Sequence, residues 1–168
     1  DRSAYTPRFG RSDLGFRPAM ALPSPLEYSL EQTSSHCVTL KVSSPVAFYG
    51  GEVALAYDPG QLGAPAVTAG AGLPEDAQLF TDLDPVNGCA DVGAGIIVAW
   101  LNPYAEGVAV ATPAGTHEVL TICFEPAEGA QQSGCESVRF VDCLGDALAP
   151  VRNAIGGGLG ESLLAQTP

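Results

Sequence analysis

Short runs of alternating apolar and polar residues, each ended by glycine or proline, constrain this chain more than any other feature. Leu26, Tyr28 and Leu30 alternate with Glu27, Ser29 and Glu31, and Val38, Leu40 and Val42 alternate with Cys37, Thr39 and Lys41. A side-chain period of two is that of a strand with one face buried. The 20 glycines and 14 prolines include the turn signals Asp58-Pro59-Gly60, Asn87-Gly88, Asn102-Pro103 and Gly156-Gly157-Gly158, which break helices and reverse the chain. The pattern predicts strands at His36–Ser43, Val46–Tyr57 (interrupted at Gly50-Gly51), Ala77–Leu83, Gly95–Leu101, Glu118–Phe124 and Ser137–Cys143. Shorter ones are expected at Ala64–Ala69, Val108–Ala111, Leu148–Ile155 and Leu159–Leu164. So many short strands at this spacing predict an all-β protein, a β-sandwich. The longest apolar run, Ala94 to Leu101, is far shorter than the roughly 20 residues of a membrane-spanning helix, so no membrane insertion is expected.

Residues 1–34 read differently from the rest. Pro7, Pro18, Pro23 and Pro25 prevent a helix and favour extended chain. Yet Tyr5, Phe9, Leu14, Phe16, Met20 and Leu22 are anchors that a solvated linker does not need. The expected organisation is an extended N-terminal arm over residues 1–34, including the alternating stretch Leu26–Leu30, and one sandwich domain over 35–168.

Charge divides along the same line. The net charge is −12, but residues 1–18 hold four arginines (Arg2, Arg8, Arg11, Arg17) and two aspartates. Residues 19–168 hold only Lys41, Arg139 and Arg152 against seventeen carboxylates. An acidic body repels nucleic acid, whose binding needs clustered Lys and Arg. A basic arm on such a body is suited to contact its own body or a neighbour's.

Five cysteines (Cys37, Cys89, Cys123, Cys135 and Cys143) lack Cys-x-x-Cys spacing and any histidine at ligand spacing, which argues against zinc. They are expected as disulfide candidates, with one thiol left over. Cys135 and Cys143, on one expected strand, would stand about 26 Å apart and cannot bridge, whereas Cys123 and Cys135 flank a loop they are placed to close. The chain also begins at Asp1 without Met, the pattern of a processed, exported protein. An extracellular or cell-surface location is expected.

The usual reacting groups of enzymes are missing. His36 and His117 belong to no metal-binding or nucleophile motif, there is no Gly-x-Ser-x-Gly elbow, and the Gly156–Gly158 run has no following Lys. The protein is expected not to be an enzyme. Its one cofactor candidate is calcium, through Asp82, Asp84, Asn87 and Asp91, oxygen ligands in a Gly-containing loop whose spacing departs from a calcium loop and which Pro85 interrupts. For polysaccharide, Tyr49, Tyr57 and Tyr104 form a partial aromatic platform, while Trp100, inside an apolar run, belongs to the core.

Four segments carry a family resemblance. YGGEVALAYDPGQL (Tyr49–Leu62) resembles the strand and turn of cohesin domains that end in Tyr-Asp-Pro and a following Leu, and GAGIIVAWLNP (Gly93–Pro103) their later strand ending Ala-Trp-Leu. HEVLTICFEPAEGA (His117–Ala130) and PVRNAIGGG (Pro150–Gly158) are similar to the later strands. The resemblance covers about residues 37–158. It implies a jelly-roll sandwich of the cohesin and carbohydrate-binding-module type, found in secreted multi-domain bacterial proteins.

Two functions are therefore expected. The first is an extracellular structural module that self-associates into a filament or surface assembly, with copies of itself as partners. Its interface would be Arg2, Tyr5, Arg8, Phe9, Arg11, Phe16, Arg17, Leu26, Tyr28 and Leu30, by strand addition or by packing on the next sandwich. The alternative is a cohesin-like module that binds a dockerin-type protein or a polysaccharide.

Overall fold

In a computed structural model that describes residues 25–130 and 134–168, the chain is built from antiparallel strands. In chain order they are β1 (Glu27–Gln32), β2 (Cys37–Ser44), β3 (Gly50–Tyr57), β4 (Leu62–Ala69), β5 (Gln78–Asp82), β6 (Ala94–Leu101), β7 (Tyr104–Ala105), β8 (Val108–Ala109) and β9 (Gly115–Pro126). They continue as β10 (Arg139–Phe140), β11 (Gly145–Asp146), β12 (Ala149–Pro150), β13 (Ala154–Gly156) and β14 (Ser162–Leu164). One sheet has the order β1-β2-β9-β4; the other runs β14-β13-β3-β6-β5, with β10 also paired to β3. The chain crosses between these sheets from β2 to β3, β3 to β4, β4 to β5, β6 to β9 and β9 to β10, so the two layers form one all-β sandwich. No described helix is long and apolar enough to cross a membrane.

The core follows the alternation in the sequence. Val38, Leu40 and Val42 of β2 meet Val53 and Leu55 of β3 and Ile96, Val98 and Trp100 of β6 in one buried cluster. Strand β9 breaks the period once: Leu40 stands opposite Leu120 but Lys41 opposite Glu118, so Val119 is an extra residue. This bulge lets Val119 and Leu120 both be buried, where strict alternation would expose one. Gly51 is required by close approach: a Cβ there would lie 2.3 Å from Cζ2 and 2.6 Å from Cη2 of Trp100.

Strand β3 is flanked on one side by two different strands. β13 covers Gly50–Glu52 and β10 covers Leu55–Ala56, leaving Val53 and Ala54 between them. The Ala54 amide donates to Asn153 Oδ1 at 2.9 Å, and its carbonyl accepts from the Val141 amide at 3.1 Å. Asn153 Nδ2 in turn donates to the Val141 carbonyl at 3.2 Å. A side-chain amide thus fills the gap where backbone pairing changes hands.

Several expectations need correction. The boundary at 34/35 cuts through the sandwich: β1 pairs with β2 from Glu27↔Ser43 to Gln32↔Val38, and Leu26 and Tyr28 are buried in the core. Leu26 and Tyr28 are therefore interior residues of their own domain and not an exposed interface, while Leu30 packs half-buried against the same core. The expected strand Ser137–Cys143 is a 3-10 turn at Cys135–Ser137 followed by the two-residue β10. Leu148–Ile155 is divided between β12 and β13, and Leu159–Leu164 between a 3-10 turn and β14. Glycine at 156–158 and 160 accounts for that last break.

The expected Cys123–Cys135 pairing is also overturned. Cys37 bonds Cys123, Cys89 bonds Cys143, and Cys135 is a buried free thiol. Cys37 and Cys123 lie directly opposite each other on β2 and β9, with the Phe124 amide donating to the His36 carbonyl just beyond them. That makes them a non-hydrogen-bonded pair, the closer of the two antiparallel arrangements, and their Cα atoms are 4.1 Å apart.

Candidate functional site

One concavity lies on the outer face of the second sheet. Two rows of the ladder run side by side there: Ala154–Glu52–Ala99–Phe80 and Gly156–Gly50–Leu101–Gln78. Glycine and alanine at four of these positions leave a groove of about 310 Å³, lined also by Tyr49, Gly157 and Ser162. Leu101 (44% exposed) and Phe80 (56% exposed) stand along one side. Tyr49 and Tyr104 line an adjoining hollow of about 330 Å³ with Val108 and Gly158. The structure thus brings two of the three platform tyrosines together. Tyr57 is elsewhere, its ring 4.9 Å from that of Phe124.

Glu52 is the charged group of the groove. It is half-buried, and both ion pairs among the described residues belong to Lys41, with Glu31 and Glu118, so Glu52 has no described cation. Below the sheet, burial first and the Glu52 charge second hold the Tyr28 phenol well above its ordinary pKa. Tyr28 is therefore a neutral hydrogen-bond donor, and its Oη lies 2.7 Å from the Ala154 carbonyl.

The acidic loop is organised by its own backbone. Asp82 Oδ1 accepts the Asp84 amide at 3.2 Å. Asn87 accepts from the Cys89 amide at 2.9 Å and donates to the Val92 carbonyl at 2.8 Å. Arg139 donates to the Asp91 carbonyl at 3.2 Å. No three His, Cys, Asp or Glu among the described residues converge to hold a metal ion, so Asp82, Asp84 and Asp91 are not brought together as a ligand set. What fastens this loop is the Cys89–Cys143 disulfide beside the Asn87↔Leu144 bridge.

The histidines serve local structure. His36 Nδ1 lies 2.7 Å from Ser35 Oγ, and His117 Nε2 lies 2.8 Å from the Pro113 carbonyl. Of the expected interface, Arg2, Tyr5, Arg8, Phe9, Arg11, Phe16 and Arg17 lie outside the described residues. Asn102, expected as a turn residue, is instead a buried strut: Nδ2 lies 2.9–3.2 Å from the Val110 carbonyl, Thr112 Oγ1 and the Phe48 carbonyl. An Asn-Pro pair carries no sequence signal that separates these roles.

Comparison of the chain with protein-family models, with curated proteins and with solved structures finds no match.

Proposed function

We propose that the protein is a non-enzymatic structural module of the cell surface or extracellular space that self-associates, the basic N-terminal segment of one copy binding the acidic sandwich of the next. The observation that carries this reading is the division of charge. The described residues hold seventeen carboxylates and only three cations. Lys41 is engaged by Glu31 and Glu118, and Arg139 by the Asp91 carbonyl. The four arginines of residues 1–18 are the counter-charge within the chain. Two disulfides suit an oxidising compartment. A contact between unlike surfaces of identical chains propagates as a fibre when its rotation does not close a ring.

A second reading, a cohesin-like module for a protein or polysaccharide partner, is favoured by the exposed apolar residues Phe80, Leu101, Tyr104 and Val108 near the groove. Electron microscopy separates the two. The full chain is expected to form filaments, and a chain starting at Pro25, which keeps β1, single particles. Single particles from both would overturn self-assembly and leave the binding module.

A further inference from the structure

We propose that the groove over Gly50 and Glu52 is the acceptor for Phe9-Gly10-Arg11 of a second copy. This rests on the self-association reading and names its contact.

Spacing, floor and charge each support the pairing. In an extended chain, residues two apart point to the same side about 7 Å apart. Phe9 and Arg11 have that relation, with Gly10 adding no side chain between them. Gly50 and Glu52 have the same relation on β3, so an extended segment laid along that strand sets Phe9 over Gly50 when it sets Arg11 at Glu52. The floor under Phe9 is Gly50 beside Gly156: a Cβ at Gly50 would meet the Trp100 carbonyl oxygen at 2.5 Å and Leu101 Cδ1 at 3.5 Å, whereas one at Gly156 would meet nothing within 4 Å, so the open space for the ring lies on the Gly156 side. Leu101, opposite Gly50, supplies the apolar side wall. Glu52 is the half-buried carboxylate without a described cation, and a guanidinium is the group that pairs with it in bidentate geometry.

The test uses full-length chains and sedimentation velocity. Arg11→Glu alone and Glu52→Lys alone are each expected to raise the concentration needed for assembly at least tenfold. An equimolar mixture of the two is expected to assemble near the wild-type concentration, because each arm then meets a groove of opposite charge on the other chain. Gly156→Phe, whose Cβ would meet nothing within 4 Å and whose ring is sized to occupy the groove, is expected to block assembly in every mixture. The thermal midpoint of each variant is measured alongside, so that misfolding is not read as lost docking. Either charge variant or Gly156→Phe assembling like wild type overturns the groove contact while self-association stands. A mixture that fails although both single variants have lost assembly overturns docking between copies. A wild-type chain that stays monomeric overturns the self-association reading itself, and this contact with it.

Discussion

The Tyr28 hydroxyl donates to the Ala154 carbonyl at 2.7 Å, tying the outermost strand of one sheet to β13 of the other. The same strand is gripped at its start by the C-terminal segment, where the Tyr28 amide donates to the Gln166 carbonyl at 3.1 Å and the Gln166 amide donates to the Leu26 carbonyl at 2.9 Å. Residues that the alternation pattern assigned to an arm thus close one side of the sandwich. A chain truncated at Ser35 loses β1, Leu26 and Tyr28 together, and is expected to unfold at a markedly lower temperature than one starting at Pro25. Near-ultraviolet circular dichroism checks this, because the Trp100 ring centroid lies 6.4 Å from that of Tyr28.

Tyr28→Phe removes the hydroxyl alone. The substitution leaves a buried carbonyl short of one donor and is expected to cost about 1–2 kcal/mol at neutral pH. It should also change the alkaline limb of stability. The native phenol keeps its proton above the pH at which the unfolded phenol, near 10, releases it. The native state then binds more protons than the unfolded state, so stability is complete below about pH 10 and falls as pH rises beyond it. Urea melts between pH 9 and 11.5 are expected to show a steeper decline for wild type than for Tyr28→Phe. Parallel slopes would sink the assignment.

The sequence carried the layers of this fold better than its closures. Alternation located β2, β3, β6 and β9 because each is long and buried on at least one face, so the hydrophobic pattern is forced on them. It put Leu26, Tyr28 and Leu30 on one face of a strand but assigned them to an interface of the arm, whereas Leu26 and Tyr28 fill this chain's own interior. The segments around β10 and β13 were illegible for a different reason. Their role is to patch the flank of β3 around Ala54, which they do through Asn153 and two or three backbone pairs. Such contacts leave no periodicity to read. The disulfides show the same limit: pairing Cys37 with Cys123 depends on the register of two strands 86 residues apart, which no local spacing encodes. Of the groove, the glycines, Tyr49 and the charge imbalance were visible.

Asn153 offers a direct test of that patch. Asn153→Ala removes the acceptor for the Ala54 amide and the donor to the Val141 carbonyl, both in a largely buried site. Two unsatisfied groups at about 1–3 kcal/mol each set the expected loss in urea denaturation. Asn153→Asp keeps the acceptor but sets a carboxylate oxygen against the Val141 carbonyl in a largely buried site, and is expected to lose at least as much as Asn153→Ala near neutral pH and to recover part of the loss at acid pH, where the protonated carboxyl regains a donor. A loss for Asn153→Asp that does not vary with pH would show that packing rather than hydrogen bonding holds the segment.

One thiol and two disulfides predict distinct reactivity. Burial pushes the Cys135 thiol up in pKa, so little thiolate is present at neutral pH to react. In the native protein without reductant, a thiol reagent is expected to modify no cysteine rapidly, and in denaturant to modify one per chain. Replacing Cys37 and Cys123 together with alanine opens a loop of 86 residues and is expected to cost about 2–4 kcal/mol. Two or more titrating thiols in denaturant would contradict the assigned pairing.

Gly51 and Gly156 make a matched pair, since both lie in the β3–β13 ladder and neither needs a positive φ. A Cβ at Gly51 would overlap the Trp100 ring at 2.3 Å and approach the Ala154 carbonyl oxygen to 2.9 Å, whereas a Cβ at Gly156 would meet nothing within 4 Å. Gly51→Ala is expected to lose about 1–3 kcal/mol through displacement of the indole and to shift the Trp100 fluorescence maximum. Gly156→Ala is expected to leave both within error of wild type, or to stabilise slightly by restricting the unfolded chain. Similar losses for the two alanine variants would mean that the glycines are kept for backbone freedom alone and that the Trp100 ring does not rest on Gly51.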